Sequence, residues 1–193
     1  NQLFDTKNLS TPLLKNLTIQ DLLSEELFLL MLQKSIVVDL FLEETLTKIR
    51  CEILLNIDNS KENTTYNNLK FVISLSQQCF FNEYVFLQTK KEIDVLNELI
   101  HKIEKKEKIN EMEIAILGCY LPLHSLKNIV KKLANYESKN ILFNDLISMQ
   151  INEPTKEKNL INSIKSLNEI SDKVSLKVKD QYEQNPFPRW RYT

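Results

Sequence analysis

The sequence predicts an all-α fold, a single irregular bundle of about nine helices over residues 1–193. Three observations lead to this prediction. Apolar residues recur at the three- and four-residue spacing of helix faces along most of the chain. Capping residues and short polar links stand between these patterns. Glycine occurs once, at Gly118, which excludes the glycine-dependent turns of a self-contained nucleotide-binding α/β domain.

The centre of the predicted bundle is a helix over about 69–82. Its residues 71–82 carry no charge, although 26% of the chain is charged. As a helix, the run is apolar over more than half of its circumference. The other side carries Ser74, Gln77 and Gln78, neutral groups that neighbouring helices can satisfy with hydrogen bonds. We therefore expect this helix to be buried.

The chain begins with a polar stretch. Residues 1–10 are expected to be flexible. A threonine and a proline then supply an N-cap and a first-turn proline for a short helix over 11–17. Leucines at helical spacing predict the next helix over about 21–34.

A longer helix precedes the central one. Ile36–Val38 is expected to be a brief extended link, after which Asp39 caps a helix that reaches about residue 57. Residues 58–65 are rich in polar turn formers and predict a loop. The buried stripe of the helix is expected to hold Leu42, Leu46, Ile49, Ile53 and Leu54.

Two capping motifs follow the central helix. Thr89–Glu92 is a capping box that opens an amphipathic helix. Asn110–Glu113 repeats the device and opens a mostly apolar helix over 112–120, where the absent side chain of Gly118 would let another helix approach closely. The buried stripe of the first of these helices is expected to hold Ile93, Leu96, Leu99, Ile100 and Ile103.

Four further helices complete the prediction. Pro122 restarts the chain into a helix to about residue 134. The next three are predicted over 138–150, 153–167 and 171–184, and the prolines of 185–188 end the last one. The helix over 138–150 is expected to turn Ile141, Leu142, Leu146 and Met149 inward.

The composition argues against several classes of partner. A formal net charge of −1 gives no electrostatic reason to expect nucleic acid or an acidic membrane. The apolar run Leu27–Leu32 is far shorter than the roughly 20 residues that cross a bilayer, and no signal peptide is apparent. Cys51, Cys79 and Cys119 each lie in an apolar helical pattern, which suits free buried thiols. These features predict a cytoplasmic protein.

No set of residues predicts catalysis or metal binding. Cys79 lies on the predicted buried helix, far in sequence from both His101 and His124, which makes it a poor nucleophile. The two histidines have no ligand spacing, and the carboxylates lie on predicted solvent faces. We therefore expect no catalytic, cofactor-binding or metal-binding residue in this chain.

Several polar residues beside the apolar stripes form a candidate cluster, which is either structural or functional. Arg50 shares a helix face with Glu43 and Thr47, so a helix-surface charge network is the favoured alternative to a functional anchor. The neighbouring run Asn82–Tyr84 can equally close the end of the central helix. The candidate cluster consists of Arg50, Asn82, Glu83 and Tyr84.

The C-terminal stretch 181–193 has an unusual composition for a chain terminus, since it combines aromatic residues, prolines and arginines. A backbone fixed by proline with aromatic anchors forms a rigid edge for docking, so residues 181–193 are expected to be an extended docking segment. The alternative, that the stretch packs back on its own domain, stays open. The candidate contact residues are Tyr182, Glu183, Asn185, Pro186, Phe187, Pro188, Arg189 and Trp190.

Three segments carry a resemblance to a known family. Residues 175–190 read SLKVKDQYEQNPFPRW and resemble the S-x-x-V-(R/K)-x-Q-Y-E-x-N-P-(Y/F)-P-R-W segment of a bacterial family of class I methyltransferases. In that family, the segment stands just before the S-adenosylmethionine-binding domain, and tetratricopeptide repeats often occupy the N-terminus. Gln77–Phe86 resembles the family's Q-C-F-x-N-E-Y-V-F, and Glu43–Leu54 fits its E-x-x-L-T-x-x-R-x-x-L-L.

The resemblance implies a helical accessory region that lies between the repeats and the catalytic domain, where it selects substrate or docks on that domain. The family's acidic, glycine-rich cofactor loop would follow Trp190, so S-adenosylmethionine is implied for a downstream domain and not for these residues. That downstream domain is then the expected partner. The residues themselves leave open a second hypothesis, a stand-alone helical scaffold that binds protein partners.

Overall fold

The computed structural model describes residues 25–57, 66–134, 136–161, 163 and 172–184. Over these ranges the chain is all-α, as predicted, and contains no strand. Five predictions concern residues outside these ranges. They are the flexible start, the helix over 11–17, the loop over 58–65, the end of the helix near 167 and the segment 185–193.

The helices after Asp39 and Thr89 begin at the predicted capping residues, whereas Pro122 leads into a 3₁₀ turn and the helix behind it begins only at Lys127. Asp39 Oδ1 accepts a hydrogen bond from the Leu42 amide at 2.8 Å, and Thr89 and Glu92 form the complete capping box. The elements are α1 (Glu26–Lys34), α2 (Leu40–Leu55), α3 (Tyr66–Phe81), α4 (Lys90–Lys105), α5 (Glu111–Gly118), a 3₁₀ turn (Leu123–Ser125), α6 (Lys127–Leu133), α7 (Ile141–Ile147), a π-helical turn (Ser148–Asn152), α8 (Glu153–Ile161) and α9 (Lys173–Gln184).

Helix α3 is buried along residues 71–81 and packs against α1, α5 and α7. Its neutral polar side chains are hydrogen bonded by different neighbours. Ser74 Oγ accepts from Gln33 Nε2 of α1 at 2.8 Å, and Gln77 Nε2 donates to Asp145 Oδ2 of α7 at 2.8 Å. An uncharged helix can therefore lie in the core with each of these side chains hydrogen bonded, although the buried Gln77 Oε1 has no hydrogen-bond partner.

Gln78 joins α3 to the link that follows α1. With its amide oriented to suit its surroundings, its nitrogen donates to the Ser35 carbonyl at 2.7 Å and its oxygen accepts from the Val37 amide at 3.0 Å. The link over 36–38 has no regular secondary structure, and Gln78 satisfies part of its backbone.

Two residues predicted to point inward are exposed. Ile93 is 44% exposed, because the buried face of α4 runs through Glu92 and Leu96, and Ile93 lies one residue away from that line. Ile141 is 83% exposed, because Asn140 is the N-cap of α7 and the buried face begins at Phe143.

The second capping motif forms only in part. Asn110 Oδ1 accepts from the amides of Met112 and Glu113 at 3.0 and 3.3 Å, as expected of an N-cap. The Glu113 carboxylate, however, is buried and accepts a hydrogen bond from Lys106 Nζ at 2.7 Å. Glu113 therefore lies in the first turn of the helix as predicted, but the prediction of a solvent face is wrong for it, because Lys106 offers a charged partner inside the fold.

Gly118 lies where α5 approaches α3, as its missing side chain predicted. A Cβ placed there would be 2.3 Å from Ser76 Oγ and 3.2 Å from the Gln150 amide. Ser76 and Gln150 are both buried and hydrogen bonded to each other at 3.0 Å, so a shift of either side chain would disturb that bond.

Replacing Gly118 with alanine is expected to lower the free energy of unfolding by about 1–3 kcal/mol through overpacking. Helix propensity alone would favour alanine by about 1 kcal/mol, so the sign of the change separates steric contact from propensity. Urea unfolding of Gly118→Ala and of Gly118→Ala/Ser76→Ala measures it. The double variant lacks the Ser76 hydroxyl and should recover part of the loss, whereas an alanine variant as stable as the parent would contradict the close approach.

Candidate functional site

Helix α9 exposes all of its described side chains, since residues 172–182 are all exposed. Asp172 Oδ2 caps the helix by accepting from the Ser175 amide at 2.8 Å. Val174, Val178 and Tyr182 are 68%, 45% and 61% exposed. Because residues four apart share a helix face, these three side chains form one apolar line, which we call the α9 stripe.

The predicted docking residues begin at the end of this helix. Residues 181–184 are helical. They were predicted both as the last turn of a helix and as the start of an extended segment, and the second of these predictions is wrong for them. Tyr182 and Glu183 thus lie on the last turn of α9, and Asn185–Trp190 lie outside the described residues. Val174 and Val178 were not predicted as docking residues, although their four-residue spacing with Tyr182 was a visible signal.

Arg50 is 1% exposed, which overturns its interpretation as a member of a helix-surface network. Its guanidinium donates through Nη2 to the Leu87 carbonyl at 2.7 Å and through Nη1 to the Cys119 carbonyl at 3.3 Å. Thr47 Oγ1 instead donates to the carbonyl of Glu43 in its own helix. Arg50 is therefore a buried cation whose hydrogen bonds fix the link between α3 and α4.

Glu92 and Tyr120 complete the surroundings of Arg50. Glu92 Oε1 lies 3.9 Å from Arg50 Nη2 and accepts a hydrogen bond from the Tyr120 hydroxyl at 2.8 Å. The Tyr120 ring centroid lies 4.2 Å from Arg50 Cζ, within the range of a cation–π contact. We call Arg50, Glu92 and Tyr120 the Arg50 cluster.

The electrostatics of the cluster keep Glu92 ionised. Burial by itself would raise the pKa of the Glu92 carboxyl, but hydrogen bonds from Thr89 and Tyr120 and the charge of Arg50 outweigh it and hold the pKa below its ordinary value. Burial, reinforced by Glu92, raises the pKa of the Cys51 thiol. A thiol in these surroundings is a poor nucleophile.

Acid is expected to remove the contribution of Glu92 to stability. Because the pKa of Glu92 is lower in the folded chain, its contribution is present above the ordinary carboxyl pKa and is lost as the pH falls through the lowered one. The difference in unfolding free energy between the parent and Glu92→Gln should therefore shrink between about pH 7 and pH 3. Urea unfolding at both pH values tests this, with the exposed Glu98→Gln of the same helix as control. A difference that does not change with pH would contradict it.

The Arg50 cluster is tightly packed. The space bounded by Arg50, Leu75, Ile116 and Tyr120 is too narrow for a water molecule. No three histidine, cysteine or acidic side chains gather as a metal site within the described ranges. What the cluster can do is fix the backbone of residues 86 and 87.

Asn82–Tyr84 close the C-terminal end of α3. Glu83 and Tyr84 have φ angles of 56° and 58°, in the left-handed region that only glycine adopts without cost. Asn82 Oδ1 accepts from the Tyr84 amide at 3.1 Å, and that amide also donates to the Cys79 carbonyl at 2.9 Å. The helix-closing alternative therefore describes the backbone of this run.

Gln150 is fully buried and joins a second network. Its Nε2 donates to the Gly118 carbonyl at 3.1 Å and to Ser76 Oγ at 3.0 Å. Its Oε1 accepts from the Leu123 amide and from the Tyr84 hydroxyl, each at 3.3 Å. The predicted cluster is thus divided. Tyr84 forms a hydrogen bond with Gln150, whereas Arg50 forms an ion pair with Glu92 and donates hydrogen bonds to the link between α3 and α4.

The π-helical turn places the Gln150 side chain in the core, and Pro154 leaves the Gln150 carbonyl in need of a hydrogen-bond donor. The turn inserts one residue into the helical run from α7 to α8 and leaves both Met149 and Gln150 buried. Pro154 has no amide hydrogen for the Gln150 carbonyl. His124 Nδ1 lies 3.2 Å from that oxygen and takes the place of the missing donor.

Sequence reasoning missed Glu92, Tyr120 and Gln150 as members of these networks. Glu92 was identified only through its capping box, and its second role depends on Arg50, which lies far away in the chain. Pro154, four residues after Gln150, was a signal that the Gln150 carbonyl needed another donor.

Comparison with protein-family models, with curated proteins and with solved structures gave no match. Among the described residues, no helix combines the length and the hydrophobicity needed to cross a membrane.

Proposed function

We propose that this chain is a helical accessory domain without catalytic activity of its own, which docks on an S-adenosylmethionine-dependent methyltransferase domain through the α9 stripe and residues 181–193. Its helical surface would then help to select the substrate. The free cysteines suit a reducing, cytoplasmic setting.

The observation that carries the proposal is the exposure of the α9 stripe. A helix of 12 residues whose described side chains are all exposed is marginal in water. The Asp172 cap supports its start, but helix α9 has no basic residue in its last turn to support its end. A partner that covers Val174, Val178 and Tyr182 would supply the missing stability.

The identity of the partner rests on the resemblance of residues 175–190. On a helix, the motif positions held by Ser175, Val178, Gln181 and Tyr182 fall within about 60° of Val178. These four therefore share the face of the α9 stripe, whereas the other two fixed positions of the motif on this helix, Lys179 and Glu183, lie about 100° and 140° from Val178. A motif that is concentrated on one exposed face suits docking on a fixed neighbour.

The test is calorimetric titration of S-adenosylmethionine into the 193-residue chain and into the gene product extended beyond Thr193. We expect the extended product to bind the cofactor and the 193-residue chain not to bind it. An extended product without binding, or a reading frame that ends at Thr193, would overturn the methyltransferase assignment.

One observation favours the scaffold hypothesis as a second candidate. In the link between α3 and α4, Val85 and Leu87 are 57% and 83% exposed, whereas Phe86 between them is 4% exposed. Arg50 fixes this link, which thus holds two aliphatic side chains toward solvent. If the chain is a scaffold, the variant Val85→Ser/Leu87→Ser should no longer bind the protein partner. If the methyltransferase assignment holds, the same variant of the extended product should bind the cofactor as tightly as the parent does.

A further inference from the structure

We infer that the carboxyl end of α4 is a binding site for a primary ammonium ion, which the side chain of Lys132 fills. Its Nζ donates to the carbonyls of Ile103, Glu104 and Lys106 at 2.9, 2.5 and 2.6 Å. An ammonium group has three hydrogens to donate and accepts none. The three carbonyls therefore match the full donor set of one primary ammonium.

These carbonyls converge where α4 ends. The last hydrogen bond of the helix runs from the Lys106 amide to the Lys102 carbonyl at 3.2 Å. The carbonyls that follow have no amide of the helix left to bond, and they carry the negative end of its dipole. A cation placed there gains from the hydrogen bonds and from the dipole, so the site favours a charged donor over a neutral one.

Helix α6 brings the ammonium to this place. Its buried residues Ile129 and Leu133 belong to the hydrophobic core, and Lys132 beside them is half-buried. One turn earlier on the same helix, Asn128 Nδ2 donates to Glu104 Oε1 at 2.9 Å. The ammonium site is therefore a point at which α6 is joined to the end of α4.

The site also reaches the link between α4 and α5. The Lys106 carbonyl belongs to this link, and Lys106 Nζ bonds to the buried Glu113 of α5 at 2.7 Å. Loss of the cation should therefore loosen the link as well as the end of α4. The site involves neither α9 nor the link between α3 and α4, so it is independent of both functions proposed above.

The test removes the tethered ammonium and offers one from solution. Lys132→Ala leaves the three carbonyls without their cation, so it should unfold at a lower urea concentration than the parent does. Methylammonium chloride should raise this urea midpoint toward the parent value, because a ligand that binds only the folded chain stabilises it. Tetramethylammonium chloride at the same concentration has the same charge but no N–H group, so it should not restore the midpoint.

The matched control is Lys131→Ala, which removes the neighbouring exposed lysine of the same helix. Its urea midpoint should stay close to that of the parent and should respond equally to the two salts. Equal midpoints of Lys132→Ala in the two salts would overturn the inference. So would the same methylammonium effect on Lys131→Ala, since the amine would then act on the chain in general.

A measurement on the parent chain covers the case in which Lys132→Ala does not fold. Trace acetylation with acetic anhydride, followed by mass spectrometry, compares the reactivity of individual lysine amines. Lys132 should react several times more slowly than Lys131, because its nitrogen must leave the three carbonyls before it can reach the reagent. Equal rates at the two lysines would show that the ammonium is not held in a site.

Discussion

Replacing Arg50 with methionine is expected to lower the free energy of unfolding by about 3–5 kcal/mol, the usual cost of removing one partner from a buried ion pair. The change leaves the Glu92 carboxylate buried without its cation and removes the donors to the Leu87 and Cys119 carbonyls. Urea unfolding followed by circular dichroism measures the loss.

Two further variants separate charge from geometry. Arg50→Lys keeps the charge but has no planar fork with which to reach two carbonyls at once, so it should recover only part of the loss. Arg50→Met/Glu92→Gln removes both charges and should be less destabilised than the sum of the single changes. Strictly additive losses, or a loss below about 1 kcal/mol for Arg50→Met, would mean that the cluster does not act as a unit.

Replacing Gln150 with leucine is expected to cost on the order of 3 kcal/mol, because several buried groups lose their hydrogen bonds at once. The carbonyl of Gly118, the amide of Leu123 and the hydroxyl of Tyr84 all bond to this one side chain. Leucine has a similar volume but no polar atoms to replace the amide.

The matched control is Asn97→Leu, an amide-to-leucine change at an exposed position of α4. It should alter the unfolding free energy by less than about 0.5 kcal/mol. The Tyr84→Phe variant, which removes one partner of Gln150, should show a smaller loss than Gln150→Leu. If Gln150→Leu is no less stable than the control, the network does not hold α3, α5 and the π-helical turn together.

Local patterns in the sequence were sufficient to predict the all-α fold. The uncharged run around Ile73 predicted a buried helix, and residues 71–81 are indeed buried. Asp39 and the Thr89–Glu92 capping box predicted where two helices begin. These signals act within a few residues of the chain, so a single sequence contains them in full.

Contacts distant in sequence could not be predicted in the same way. Arg50 looked like a surface residue because its sequence neighbours Glu43 and Thr47 offered partners, whereas its actual partner Glu92 comes from another helix. The buried position of Gln150 depends on a π-helical turn, which no apolar periodicity specifies. Ile93 and Ile141 were misplaced because the inward faces of their helices run through Glu92 and Phe143, and contacts with other helices decide which face is inward.

The candidate docking face was predictable only in part. Tyr182 was selected for its place in an aromatic and proline-rich segment, but the sequence alone does not reveal that the helix before it is exposed. Exposure of Val174 and Val178 depends on what other elements cover, which is a property of the whole fold.

Amide hydrogen exchange along residues 173–184 tests the docking role of α9 most directly. In the 193-residue chain, we expect these amides to exchange rapidly, because no packing protects the helix. In the extended gene product, the same amides should become protected, and Val178→Asp should remove that protection. Equal exchange in the two polypeptides, or full protection already in the 193-residue chain, would contradict the docking role.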